Sequence, residues 1–138
     1  QIEDVIEIDM DKKYQYVRIS LNGAILFDSG KADIKSGAIP ILSNVGDILK
    51  IYSKYIVKIE GHTDNVPITS GGVYKSNMWL STARATTVFE YFTEKKGLSP
   101  NSLEASGRSE FDPIASNETS EGRAKNRRVE IKIYTGLK

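Results

Sequence analysis

Cysteine is missing from all 138 residues, and histidine occurs once. Disulfides, thiolate metal sites and a cysteine nucleophile are therefore excluded, and so is any site that needs two imidazoles. The lack of thiols suits an oxidising compartment without fixing one. No apolar run approaches the roughly 20 residues that would span a bilayer, and no signal-peptide pattern is visible. The chain opens on Gln1 rather than Met, which reads as a fragment with any targeting or membrane segment upstream. Neither sign of charge dominates. Nineteen Lys and Arg face eighteen Asp and Glu, for a net charge of +1. That balance argues against a general nucleic-acid binder, whose affinity rests on many phosphate contacts.

What is present fits one ordinary domain. Hydrophobic residues make up 39% and charged residues 27%, enough for a core and too apolar for disorder. A chain of this length buries roughly two thirds of its unfolded surface and needs no metal or disulfide staple. Residues 1–14 are acid-rich with interleaved Val5, Ile6, Ile8 and Met10, and read as a linker or lead-in strand; residues 15–138 read as the domain. Val17, Ile19 and Leu21 alternate with Tyr16, Arg18 and Ser20, the period of a half-buried strand, which Asn22-Gly23 ends with a turn.

Residues 38–55 carry a helical stripe of Ile39, Leu42, Val45, Leu49 and Tyr52, with Pro40 in the first turn. Residues 56–60 read as a strand that stops at Gly61. A long connection, 62–76, contains Pro67 and Gly71-Gly72 and is a functional candidate by its length alone. A second helix spans 78–96 and ends at Lys95, Lys96 and Gly97. A short strand at 102–106, a loop at 107–119 and a short helix through Lys125, capped by Thr119 or Ser120, follow. The last strand is 128–134, with Val129, Ile131 and Ile133 inward. The order predicts an α/β two-layer sandwich, with helices packed on one face of a small sheet.

The second helix carries an anomaly. At 100° per residue Leu80, Ala85, Val88, Tyr91 and Phe92 share one arc, and Arg84 falls inside it. Asn77, Leu80, Ser81 and Arg84 are spaced to line one face. An inward arginine keeps its proton and needs a partner. Two readings stand: an internal ion pair, or an anion receptor open to a ligand. Asp64, in Gly61-His62-Thr63-Asp64 directly after a strand, is the available carboxylate, because α/β folds gather ligands where strands end. An Asp64–Arg84 socket complements a zwitterion: the guanidinium grips a carboxylate with two hydrogen bonds, and Asp64 accepts from an ammonium. Were the two bonded only to each other, the site would be structural.

His62 reads as a hydrogen-bonded structural residue. It has no second histidine and no tight carboxylate cluster for a metal, and no Gly-x-Ser-x-Gly elbow for a nucleophile. The basic run Glu121–Arg128 opens the last strand, where at least one arginine can turn toward the socket. Glu121 and Glu130 dilute it as a nucleic-acid surface.

Five segments in order resemble the OmpA C-terminal-like family of peptidoglycan-binding domains. They are Phe27-Asp28-Ser29-Gly30-Lys31-Ala32-Asp33, Gly61-His62-Thr63-Asp64, Asn77-x-x-Leu80-Ser81-x-x-Arg84-Ala85, Gly107-x-x-Glu110-x-x-Pro113 and Asn126-Arg127-Arg128-Val129-Glu130, and they cover about residues 15–134. Within it the run His62–Ile68, together with Ser81–Ala85 and the Pro113–Ala124 segment, is similar to the MotB branch of flagellar stator proteins. The resemblance implies a small mixed sheet and a non-covalent grip on the diaminopimelate of the wall peptide. Asp64 would take its ammonium and Arg84 its carboxylate, with Asp28, Asn77, Leu80 and Arg127 completing the pocket. It implies no catalytic residue, no metal and no cofactor. It further implies an extracytoplasmic domain of a protein anchored in the cytoplasmic membrane upstream, a MotA-like partner and a homodimer. The competing classes are a Pal-type wall anchor outside motility and a wall hydrolase. The hydrolase would need a metal or a nucleophile–base pair.

Overall fold

The computed structural model describes residues 6–11, 13, 16–68 and 72–136. Residues 1–5, 12 and 14 of the lead-in, and 69–71 of the long connection, lie outside the described residues. Among the described residues five strands form one mixed sheet: β1 (Ile6–Asp11), β2 (Tyr16–Asn22), β3 (Val57–His62), β4 (Leu103–Gly107) and β5 (Arg128–Ile133), in spatial order β1-β2-β5-β3-β4. Only β3 and β4 run parallel; β1–β2, β2–β5 and β3–β5 are antiparallel. The helices are α1 (Gly23–Leu26), α2 (Ile39–Ile51), α3 (Asn77–Glu94) and α4 (Ser120–Asn126), with short 3₁₀ turns at Ser36–Ala38 and Pro100–Ser102. This is the α/β arrangement expected from the order of elements.

The period-2 patterns put Ile19, Leu21, Val57, Ile59, Val129, Ile131 and Ile133 on one face of the sheet. Against them pack Leu42, Val45 and Leu49 of α2 and Ala85, Val88 and Phe92 of α3. Ile39, which the stripe placed inward, is 38% exposed; it opens α2 at the rim, while Ile41 and Ile48 pack against the core instead.

Several boundaries differ from the sequence reading. α2 stops at Ile51 rather than 55, because two tight turns at Tyr52 and Tyr55 reverse the chain into β3. β3 does not stop at Gly61. It continues through His62 because both β4 and β5 pair with it there, Gly61 with Gly107 and Val129, His62 with Arg128. The turn expected at Asn22-Gly23 is one turn of helix, α1, capped by the Asn22 side chain, which accepts from the Ala24 amide at 2.8 Å. Residues 6–11 are an edge strand paired with β2 from Ile6↔Leu21 to Asp11↔Tyr16.

α3 lies directly on the backbone of β3 and β4. A Cβ on Gly61 would sit 2.1 Å from the Ser81 carbonyl oxygen, and one on Gly107 would sit 2.5 Å from the Thr82 nitrogen. These paired glycines let the first half of the helix approach closely. Ser76 caps it by accepting from the Trp79 amide at 3.2 Å. Gly97 ends it at φ +73°, a left-handed conformation that glycine adopts without a steric penalty. Lys96 then fastens α3 to α2 through Ser43 (2.9 Å) and Asp47 (2.8 Å).

Candidate ligand-binding site

The close seat of α3 brings its N-terminal half beside the C-terminal end of β3, where a cavity of about 870 Å³ opens. Its walls come from four places. Phe27 and Ser29–Lys31 follow α1; Thr63, Asp64 and Val66–Ile68 follow β3; Asn77, Leu80 and Arg84 belong to α3; Arg123 and Arg127 belong to α4 and its end. Gly72, Val73 and Tyr74 complete the rim from the long connection.

Arg84 is buried, and its partner is not the one the sequence suggested. Its Nε donates to the Lys31 carbonyl at 2.8 Å and its Nη2 to the Asp28 carbonyl at 3.1 Å, while the guanidinium stacks 4.7 Å from the centre of the Phe27 ring. These contacts pin the 28–31 loop against α3, but carbonyl dipoles do not neutralise a charge. Burial, and then repulsion from Arg127, lower the Arg84 pKa to about 10, so the group remains a full cation at neutral pH.

Asp64 is buried too, and its partner is Arg127. Arg127 Nη1 donates to Asp64 Oδ2 at 2.5 Å, and the Val66 amide donates to Oδ1 at 3.0 Å. Of the two readings left open by the sequence, a direct Asp64–Arg84 ion pair is not formed; Asp64 pairs with Arg127 instead. The reason is topological: Arg127 enters at the start of β5, the strand beside β3. Each carboxylate oxygen accepts one hydrogen bond and keeps capacity for another.

The other residues implied by the family resemblance take distinct positions. Leu80 forms part of the cavity wall. Asn77 braces the loop: its Nδ2 donates to the Val66 carbonyl at 3.0 Å and the Asp64 carbonyl at 3.4 Å. Asp28 does not line the cavity with its side chain, which is 68% exposed and faces Lys35 at 3.8 Å; only its carbonyl reaches Arg84. Of the basic run, Arg123 and Arg127 line the cavity. Arg128 turns the other way, to Glu130 (2.6 Å) and to the carbonyls of Asn126 and Asp112 (both 2.9 Å). Lys31, Tyr74 and Arg123 are cavity residues that sequence reasoning did not single out. For Arg123 the signal was its i, i+4 spacing from Arg127, which places both on one side of α4.

His62 sits on the opposite face of the sheet from Gly61 and so away from the cavity. Its Nε2 lies 3.2 Å from Glu60 and 3.9 Å from Glu130. No carboxylate cluster was expected beside it; the sheet supplies one, because Glu60 and Glu130 are cross-strand partners. The ligand atoms of the three lie within 4.8 Å of one another, but the carboxylates already have cations. Lys132 sits 3.0 Å from Glu60 and Arg128 2.6 Å from Glu130. Burial opposes ionisation of Glu60, but hydrogen bonds from His62 and Lys132 outweigh it and lower its pKa to about 2. His62 therefore belongs to a buried ionic network under the sheet.

Asn126 fixes the α4 side of the site. It is fully buried, accepts from the Ile114 and Ala115 amides (2.7 and 3.0 Å) and donates to the Ala115 carbonyl and Asn117 Oδ1 (2.9 and 2.8 Å). All four of its hydrogen-bonding positions are used, so the loop before α4 is locked to the residue that precedes Arg127.

A family model described as the OmpA family matches residues 26–127. Motility protein B of Bacillus subtilis is 40% identical over 115 residues, which is 83% of this chain and 44% of that protein. Outer membrane protein A of Bordetella avium is 35% identical over 88% of this chain and 59% of its own length. The chain thus spans about half the length of these curated relatives. Among solved structures, a putative MotB-like protein from Desulfovibrio vulgaris superposes with a TM-score of 0.89 at 30% identity, covering 96% of this chain and 82% of that one. The cell wall anchor of the T6SS from Pseudomonas aeruginosa does so with 0.86 at 33% identity, covering 96% and 90%.

Proposed function

The chain belongs to the OmpA family, and on that premise we propose that it binds peptidoglycan non-covalently, by gripping the diaminopimelate side chain of the stem peptide. One observation carries the reading. Arg84 is a buried cation facing a cavity, held by two carbonyls and an aromatic ring, with no carboxylate among the described residues paired to it. Asp64, a carboxylate with spare acceptor capacity, lines the same cavity. A terminus bearing one carboxylate and one ammonium matches both. The carboxylate would neutralise Arg84, and the ammonium would share Asp64 with Arg127. Val66, Pro67 and Ile68 would cover the intervening methylenes.

The domain acts by binding without turnover, since the charged groups at the cavity are arranged to hold ions and not to activate a nucleophile. It is extracytoplasmic and serves as a wall anchor. Similarity to MotB proteins over most of the chain favours the stator branch, in a longer protein with an upstream membrane segment, a MotA-like partner and a dimeric arrangement. The likeness to the secretion-system wall anchor supports a second reading, an anchor outside motility with the same site.

The test uses purified insoluble peptidoglycan of the diaminopimelate type and of the lysine type. The domain is expected to sediment with the first far more than with the second, because lysine lacks the carboxylate that Arg84 holds. Soluble fragments in the supernatant, or equal sedimentation with both walls, would overturn the proposal.

A further inference from the structure

The charges lining the cavity do not balance for a single zwitterionic group. Among the described residues four cations line it, Lys31, Arg84, Arg123 and Arg127, against one carboxylate, Asp64. Arg127 is paired with Asp64. Arg84, on α3, and Arg123, on α4, have no carboxylate partner among the described residues. Arg123 spends one nitrogen, Nη1, on the Asn117 carbonyl at 2.8 Å, which orients the side chain and leaves the rest of the fork for another acceptor. The two unneutralised guanidiniums stand on different walls, with the Asp64–Arg127 pair also in the lining. One terminal carboxylate satisfies Arg84 and leaves Arg123 bare. The cavity is also several times larger than one amino-acid side chain needs.

We infer that the site is a two-carboxylate receptor: Arg84 takes the carboxylate at the end of the diamino-acid side chain, and Arg123 takes a second free carboxylate of the same peptide. This rests on the peptidoglycan reading and adds a recognition element to it. Two groups of a stem peptide have the required chemistry: the α-carboxylate of its γ-linked glutamate and the carboxylate at its C-terminus. Both are erased by amidation, which preserves shape and removes charge. The domain therefore reads the amidation state of the wall peptide at two places, with Arg84 and Arg123 as separate detectors.

The experiment titrates the domain by calorimetry, at one salt concentration, with four soluble peptides. These are an unmodified diaminopimelate stem peptide and three versions amidated singly at the diaminopimelate side-chain carboxyl, the glutamate α-carboxyl or the C-terminus. The unmodified domain is expected to lose about tenfold in affinity for the first amide and about three- to tenfold for one of the other two, which identifies the group that Arg123 holds. Arg123→Gln is expected to weaken the unmodified peptide by that same factor and to be indifferent to that amide, while keeping its response to the first. If the glutamate and C-terminal amides both bind the unmodified domain within twofold of the parent peptide, the second-carboxylate subsite is overturned, whatever the variant does. Equal losses from amidation in the domain and in Arg123→Gln would overturn Arg123 as the detector. Failure of the underlying reading is separate: the parent peptide would not bind, or amidation of the diaminopimelate carboxyl would have no effect.

Discussion

Replacing Arg84 by alanine sets a stored cost against the contacts that hold it. The depression of its pKa to about 10 corresponds to roughly 3 kcal/mol of unfavourable charge burial, at about 1.4 kcal/mol per unit. Against that stand two charge-assisted hydrogen bonds, at 2.8 and 3.1 Å, worth about 1.5–3 kcal/mol each. The stack on Phe27 adds about 1 kcal/mol. Removing the side chain therefore costs the fold about 1–4 kcal/mol net, a fall in melting temperature on the order of 4–16 °C for a chain of this length. On the proposed reading binding should suffer more, because the ligand carboxylate would lose the buried cation that holds it; truncating one partner of such a pair costs about 2–5 kcal/mol, roughly thirty- to several-thousandfold in affinity. Arg84→Lys keeps the charge, but a point ammonium lacks the planar fork that serves both carbonyls and a ligand, so it should retain the fold better than it retains binding. The assay is a thermal melt beside a sedimentation isotherm on diaminopimelate-type peptidoglycan. A folded Arg84→Ala protein that binds within twofold of the parent would refute the argument.

Three further outcomes follow from other parts of the molecule. Glu60 is held at a pKa of about 2, below its ordinary value near 4.3. Its contribution, up to about 3 kcal/mol, should be fully present above about pH 4.5 and lost as the pH falls toward 2. Urea denaturation across that window should show Glu60→Gln with a flatter acid limb than the parent, and identical limbs would contradict the network. Gly61→Ala drives a Cβ into the Ser81 carbonyl, so α3 must shift; stability should fall by about 1–3 kcal/mol or more, and wall binding with it, measured on the folded fraction. Asn126→Ala leaves the Ile114 and Ala115 amides without their acceptor, at a cost of about 2–4 kcal/mol. Faster amide exchange confined at first to residues 114–117 should report it.

The layers, and the inward arginine that lines the cavity, were legible in local sequence patterns. Period-2 runs at 17–21 and 129–133 and the stripe along 80–92 decide which side chains are apolar and inward, and hydrophobic burial leaves the sheet little choice of face. An arginine among inward positions of α3 marked a candidate site, because a cation in a core-facing arc needs a reason. What the sequence left open was pairing. Asp64 joins Arg127 and not Arg84 because β5 inserts beside β3, and that strand pairing joins residues 66 to 76 positions apart, which no local pattern encodes. Arg84 takes the Lys31 and Asp28 carbonyls because α1 delivers that loop to α3. Glu60 and Glu130 face each other across β3 and β5 beside His62 for the same reason. Local period fixes which face of an element is buried. Only tertiary packing decides which charges meet and which, like Arg84 and Arg123, have no carboxylate partner among the described residues.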